Sequence, residues 1–212
     1  MDLHQSSHEP DWASVPGAER NFWQQLAART GGAVTPANLV SVLGGLVGVA
    51  GLVMVAGGTP EMGVFFLFLG RLADIADGAV AQATHTKSPI GEAVDATIDK
   101  LMCGGVLLIF ALEDWMPLWI VLLLAVHTLI NSAIGLLNNA HRLGIHPTRT
   151  GKIGATLVWM ALFGFGLLQV SSGSWSAFFT VVTSIAVGGA LLLSYASSFQ
   201  YGRAALHKWQ KR

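Results

Sequence analysis

The chain has 212 residues, 52% of them hydrophobic and only 11% charged, and its twelve basic and twelve acidic side chains cancel to no net charge. That composition excludes an ordinary soluble domain and leaves room for several membrane spans. No nucleic-acid partner is expected, and the single Cys103 rules out an internal disulfide or a cysteine-built metal cluster.

Residues 1–18 are polar, carry Pro10 and Pro16 and show no apolar period, so they read as a disordered tail. Residues 19–34 differ. Phe22, Trp23, Leu26 and Ala27 fall on one side of a helix, with Arg20, Gln24 and Arg29 elsewhere. This is the stripe of an interfacial amphipathic helix in the headgroup region, or of a simple amphipathic cap. The first long apolar run begins near residue 39 behind a polar, partly acidic stretch, so no secretory signal is expected.

From there the chain reads as all-α and polytopic, with six transmembrane helices at about 39–57, 62–83, 91–112, 116–137, 153–170 and 177–196 in a domain spanning 35–200. Pro36 opens the first, and Gly44, Gly48 and Gly51 give it a small-residue face for close packing within or between subunits, compatible with a homodimer. Cys103 is a small packing residue of the third.

All Lys and Arg residues fall before the first span, in or beside the second turn, in the fourth connection and in the basic tail 201–212. The remaining connections hold Glu61, Glu113 and Asp114 instead. The positive-inside rule then places both termini on the cytoplasmic side of the inner membrane.

The second and third helices carry carboxylates that a membrane span does not tolerate without a reason. Asp74 and Asp77 are three apart and Asp95 and Asp99 four apart, so each pair shares a helix face; Lys87, Ser88 and Pro89 mark a turn between them. With that turn at one membrane surface, Asp77 and Asp95 lie roughly 6–8 Å deep and Asp74 and Asp99 roughly 12 Å. Four carboxylates converging there cannot all stay ionised unless cations share the cavity, and hard oxygen donors suit Mg²⁺ or Mn²⁺. Arg71, one turn before Asp74, reads as its counter-ion.

Read as a pattern, Asp74, Asp77, Gly78, Ala81, Gly91, Asp95 and Asp99 resemble the signature of the CDP-alcohol phosphotransferase family, with every spacing kept and one departure, Gln82 where the family has Arg. Thr35-Pro36-Ala37-Asn38 through Ser41 resembles that family's Pro-Asn-x-x-Thr segment, with an extra Ala37 and Ser for Thr, and Asn38 reaches the substrate or caps the helix. Gly151-Lys152 followed by Thr156 resembles its Gly-Lys segment.

The resemblance implies transfer of a phosphatidyl group from CDP-diacylglycerol to a small alcohol acceptor, releasing CMP, with membrane lipids as surroundings. It implies two divalent ions on Asp74, Asp77, Asp95 and Asp99, with Asp99 also the general base. Donor contacts fall at Gly78, Ala81, Gln82, Gly91 and Asn38.

For the acceptor, Arg142, Arg149, Lys152 and Arg203 gather on the expected cytoplasmic side and suit a phosphorylated polyol, glycerol 3-phosphate ahead of inositol phosphate. A solvated positive-inside loop is the competing reading. His127, with Asn131 and Ser132, reads as a hydrogen-bonded packing group. Two other classes fit less well: a divalent-cation transporter, which wants midplane carboxylates and repeated or broken helices, and an inactive scaffold, suggested by Gln82.

Overall fold

The computed structural model describes residues 10–140 and 148–210 and is helical throughout, without strands among those residues. A short helix, α1 (Phe22–Arg29), precedes six long ones: α2 (Pro36–Ala56), α3 (Pro60–Ala83), α4 (Pro89–Leu112), α5 (Leu118–Ala140), α6 (Arg149–Val170) and α7 (Ser174–Gln210). The chain forms two compact units that divide within α4, Met1–Met102 and Cys103–Arg212.

Local chemistry sets the helix starts. Thr35 Oγ1 accepts from the Asn38 N–H at 3.1 Å and Pro36 follows at the first helical position, where its missing N–H costs nothing. Thr35, not Asn38, is therefore the cap of α2. Ser88 and Thr148 open α4 and α6 in the same way, accepting from Gly91 N–H at 2.9 Å and Gly151 N–H at 3.1 Å.

Among the described residues, four helices, α2, α5, α6 and α7, are long and apolar enough to cross a membrane. Six spans are expected; six long helices form, and α3 and α4 fall outside these four. Arg71, Asp74 and Asp77 interrupt α3, and Asp95, Asp99 and Lys100 interrupt α4. The last helix also departs from expectation: it runs on through Gln210 where a basic tail from 201 is predicted, because Ala204, Ala205 and Leu206 keep up helix-forming sequence past the last apolar run.

In the first unit, α2 lies against α3 at backbone distance. A Cβ on Gly70 would stand 2.8 Å from the Gly44 carbonyl oxygen, and one on Gly51 would stand 2.8 Å from that of Gly63. The glycine face of α2 is thus used inside the subunit, which is the packing that small residues permit in membranes.

The N-terminal stretch corrects the expectation of a disordered tail as far back as residue 10. Asp11–Ser14 and Gly17–Glu19 are short 3₁₀ turns, and Trp12 is buried. Burying one indole ring anchors a segment whose composition otherwise reads as unstructured. In α1, Asn21 and Gln24 close a reciprocal capping box, and the face turned inward is Ala27 and Gln24, while Phe22 is exposed.

In the second unit, α6 and α7 pack together, and His127 of α5 meets Ser198 of α7 at 3.1 Å and Asn131 at 3.0 Å. His127 is buried within this network, in keeping with a packing role.

Candidate active site

The cavity lies in the first unit, where the start of α2, the end of α3 and the start of α4 converge. Helix α3 ends at Ala83 with a tight turn: Thr86 N–H reaches back to the Ala81 carbonyl at 3.1 Å and His85 adopts the left-handed conformation, φ +51°. Three residues later Ser88 starts α4. This short reversal sets Asp74 and Asp77 opposite Asp95.

One oxygen from each of Asp74, Asp77 and Asp95 lies within 4.8 Å of the others. Oxygens on opposite sides of a Mg²⁺- or Ca²⁺-sized ion stand about 4–5 Å apart, so this donor set fits one hard divalent cation. Asp77 is the most enclosed, 5% exposed, and accepts a hydrogen bond from Ser41 Oγ, which fixes the orientation of its carboxylate. Ser41 Oγ is also 3.1 Å from the Ala37 carbonyl, so the hydroxyl is tied to α2 as well as α3.

Asp99 pairs with Arg71. Its Oδ1 is 2.6 Å from Arg71 Nη1, and the same nitrogen pairs with Asp74. Arg71 therefore serves two carboxylates rather than the one expected.

A cavity of about 190 Å³ opens beside the carboxylates. Asn38, Gly78, Ala81, Gln82 and Gly91, the predicted donor contacts, all line it together with Asp77 and Asp95. The space around Gly78 is open, with nothing within 4 Å of where a Cβ would stand, whereas a Cβ on Gly91 would meet Asn38 Oδ1 at 2.9 Å. Asn38 spends its amide hydrogens on the carbonyls of Gly32 (3.0 Å) and Ala33 (2.9 Å), so it latches the preceding loop while its oxygen faces Gly91.

Ser41, Thr86, Lys87, Ser88 and Glu92 also line the cavity and are absent from the sequence-derived set. Ser41 alone carried a signal, standing where Thr is found in the Pro-Asn-x-x-Thr segment.

With this geometry in place, comparison with known proteins is decisive: residues 34–192 match the CDP-alcohol phosphatidyltransferase domain. The chain belongs to the CDP-alcohol phosphatidyltransferase family. A relative, the cardiolipin synthase (CMP-forming) of Streptomyces coelicolor (strain ATCC BAA-471 / A3(2) / M145), is 28% identical over 182 residues, covering 82% of this chain and 83% of its own. No solved structure matches. Membership makes the chain a transferase of phospholipid biosynthesis with membrane-spanning helices.

The predicted acceptor cluster lies in the other unit. Arg149 and Lys152 are exposed on the first turn of α6, and Arg203 is exposed on α7 with its guanidinium 5.6 Å from the Phe199 ring centroid. Arg142 lies outside the described residues.

Proposed function

We propose that this chain transfers the phosphatidyl group of CDP-diacylglycerol to the primary hydroxyl of a phosphate-bearing glycerol, releasing CMP, on the cytoplasmic side of the inner membrane. The observation that carries the reading is the meeting of Asp74, Asp77 and Asp95, the last two lining a glycine-edged cavity, within the matched domain. Asp74, Asp77 and Asp95 would hold the divalent cation, Mg²⁺ or Mn²⁺, with a second ion sharing the site. When bound, the metal neutralises the diphosphate and the charge developing on the leaving CMP.

The chain's own residues do the rest. Ser41 holds the Asp77 carboxylate in place, and Gly78, Ala81 and Gln82 leave room for the nucleotide against α3. In transfer, the acceptor oxygen bonds to the phosphatidyl phosphorus, the bond from that phosphorus to the CMP oxygen breaks, and CMP leaves with the electron pair. The hydroxyl proton passes to Asp99. Helices α3 and α4 cross the membrane with the other four in this reading, since a cation offsets the carboxylates that lower their hydropathy.

Arg149, Lys152, Arg203 and Arg142 would receive the acceptor's phosphate through charge-assisted hydrogen bonds. Glycerol 3-phosphate fits such a cluster. A glycerol carried by a phospholipid is the second reading, favoured by the similarity to a cardiolipin synthase. The test is CMP release from CDP-diacylglycerol by purified protein with Mg²⁺ or Mn²⁺ and one acceptor at a time: glycerol 3-phosphate, phosphatidylglycerol, inositol phosphate, serine. Release with either glycerol compound and not with serine is expected. Turnover restricted to uncharged or zwitterionic alcohols would refute the phosphate-bearing acceptor.

A further inference from the structure

One stretch of the chain has no part in the reaction as described, although it touches the wall of the cavity. Asp11 N–H donates to the Lys87 carbonyl at 3.1 Å, and Lys87 N–H donates back to Asp11 Oδ2 at 3.3 Å. Residues 11 and 87 are thus paired through both backbone polar groups of Lys87, across a sequence separation of 76.

The next residue, Trp12, is only 5% exposed. Its ring edge and the Ser88 side chain both close on Gly32: a Cβ there would meet Trp12 Cη2 at 2.8 Å and Ser88 Oγ at 2.7 Å. Gly32 sits at φ +89°, which only glycine adopts without strain, and its carbonyl accepts from Asn38. The Thr86–Ser88 turn is thus contacted from two sides, by Asp11 at Lys87 and by Gly32 at Ser88.

The cavity wall there has a distinctive charge pattern. Among the described residues, its lining includes the carboxylates of Asp77, Glu92 and Asp95 and a single cation, Lys87. At the place where the family carries Arg, this chain has the neutral amide of Gln82, which offers neither charge nor a bidentate fork. A diphosphate entering an acid-lined cavity needs cationic partners beyond any metal.

We infer that the Asp11–Trp12 strap positions Lys87 so that its ammonium contacts the diphosphate of the bound nucleotide donor. Lys87 is then a donor-binding residue, and Asp11, Trp12 and Gly32 are positioning residues that act through it. The inference rests on the cavity being the donor site, as proposed above.

The test is equilibrium binding of CDP, with Mg²⁺ present, to the full-length protein in detergent. Lys87→Gln is expected to weaken CDP binding about ten-fold, and Asp11→Ala or Gly32→Ala about five-fold. In the Lys87→Gln background, Asp11→Ala should add less than about two-fold, since the strap then has no cation left to position. Asp11→Asn keeps the oxygen that accepts from Lys87 N–H and should bind as wild type does, which separates lost positioning from lost folding.

Absence of CDP binding to the wild type, wild-type affinity in Lys87→Gln or in Asp11→Ala, or losses that add in full in the double variant would each overturn the inference. Lys87-dependent CDP binding by a protein that releases no CMP from CDP-diacylglycerol would refute the proposed reaction and leave the strap intact.

Discussion

Arg71 Nη1 lies 2.6 Å from Asp99 Oδ1, and this one nitrogen also pairs with Asp74. The last aspartate of the motif is thereby held by an arginine of α3, while the other three approach one another. Two helices are joined through a cation that belongs to the chain itself.

That shared nitrogen makes Arg71 and Asp99 energetically coupled. Arg71→Gln removes the partner of two carboxylates at once and should lower the unfolding midpoint in detergent. Adding Asp99→Asn should recover part of the loss, with a coupling of about 0.5–3 kcal/mol. Strictly additive effects of the two substitutions would show that the pair carries no coupling.

Ser41 Oγ donates to the Asp77 carboxylate. Ser41→Ala leaves Asp77 buried without its hydroxyl donor, so the metal concentration giving half-maximal CMP release should rise several-fold, for a loss of about 1 kcal/mol. Ser41→Thr keeps the hydroxyl and should stay close to wild type. An unaltered metal requirement in Ser41→Ala would remove Ser41 from the site.

Gln82 lines the cavity with a neutral amide. Gln82→Arg supplies a charge and a fork that match a phosphate, so the donor KM should fall. A donor KM that stays level or climbs would mean that this position faces away from the diphosphate.

Arg149 and Lys152 are exposed, one turn apart at the start of α6. Each, replaced singly by Gln, should raise the acceptor KM roughly ten-fold, about 1.4 kcal/mol, with the donor KM nearly constant. An acceptor KM at the wild-type value in both variants would make the cluster a feature of topology.

Much of this site is legible in the sequence, because a helix converts spacing into faces. Asp74 and Asp77, three apart, and Asp95 beyond a marked turn are brought together as the 3.6-residue period demands. Asp99 pairs with Arg71, a contact that depends on the reach of a long side chain and leaves no trace in spacing. Lys87 gives no such sign, because it comes from a turn whose approach to the cavity depends on tertiary packing, and Ser41 is marked only by its place in the Pro-Asn-x-x-Thr-like segment.

Trp12 illustrates the other limit. Its surroundings, Pro10, Pro16 and polar residues, carry the composition of disorder, and one buried ring with one backbone pair overrides it. The length of α7 was missed because hydropathy ends before helix propensity does. Its 37 residues span about 55 Å at the usual rise, beyond the roughly 30 Å of a bilayer core.

The central claim is that Asp74, Asp77 and Asp95 form one divalent-metal site that supports phosphatidyl transfer. The most direct measurement is CMP release from CDP-diacylglycerol over a Mg²⁺ titration, for the wild type and for Asp74→Asn, Asp77→Asn and Asp95→Asn. The account predicts release that requires the metal in the wild type and falls by about a hundred-fold or more in each variant, because each loses an anionic ligand of a shared ion. Wild-type release that persists in excess chelator, or normal turnover in all three variants, would contradict it.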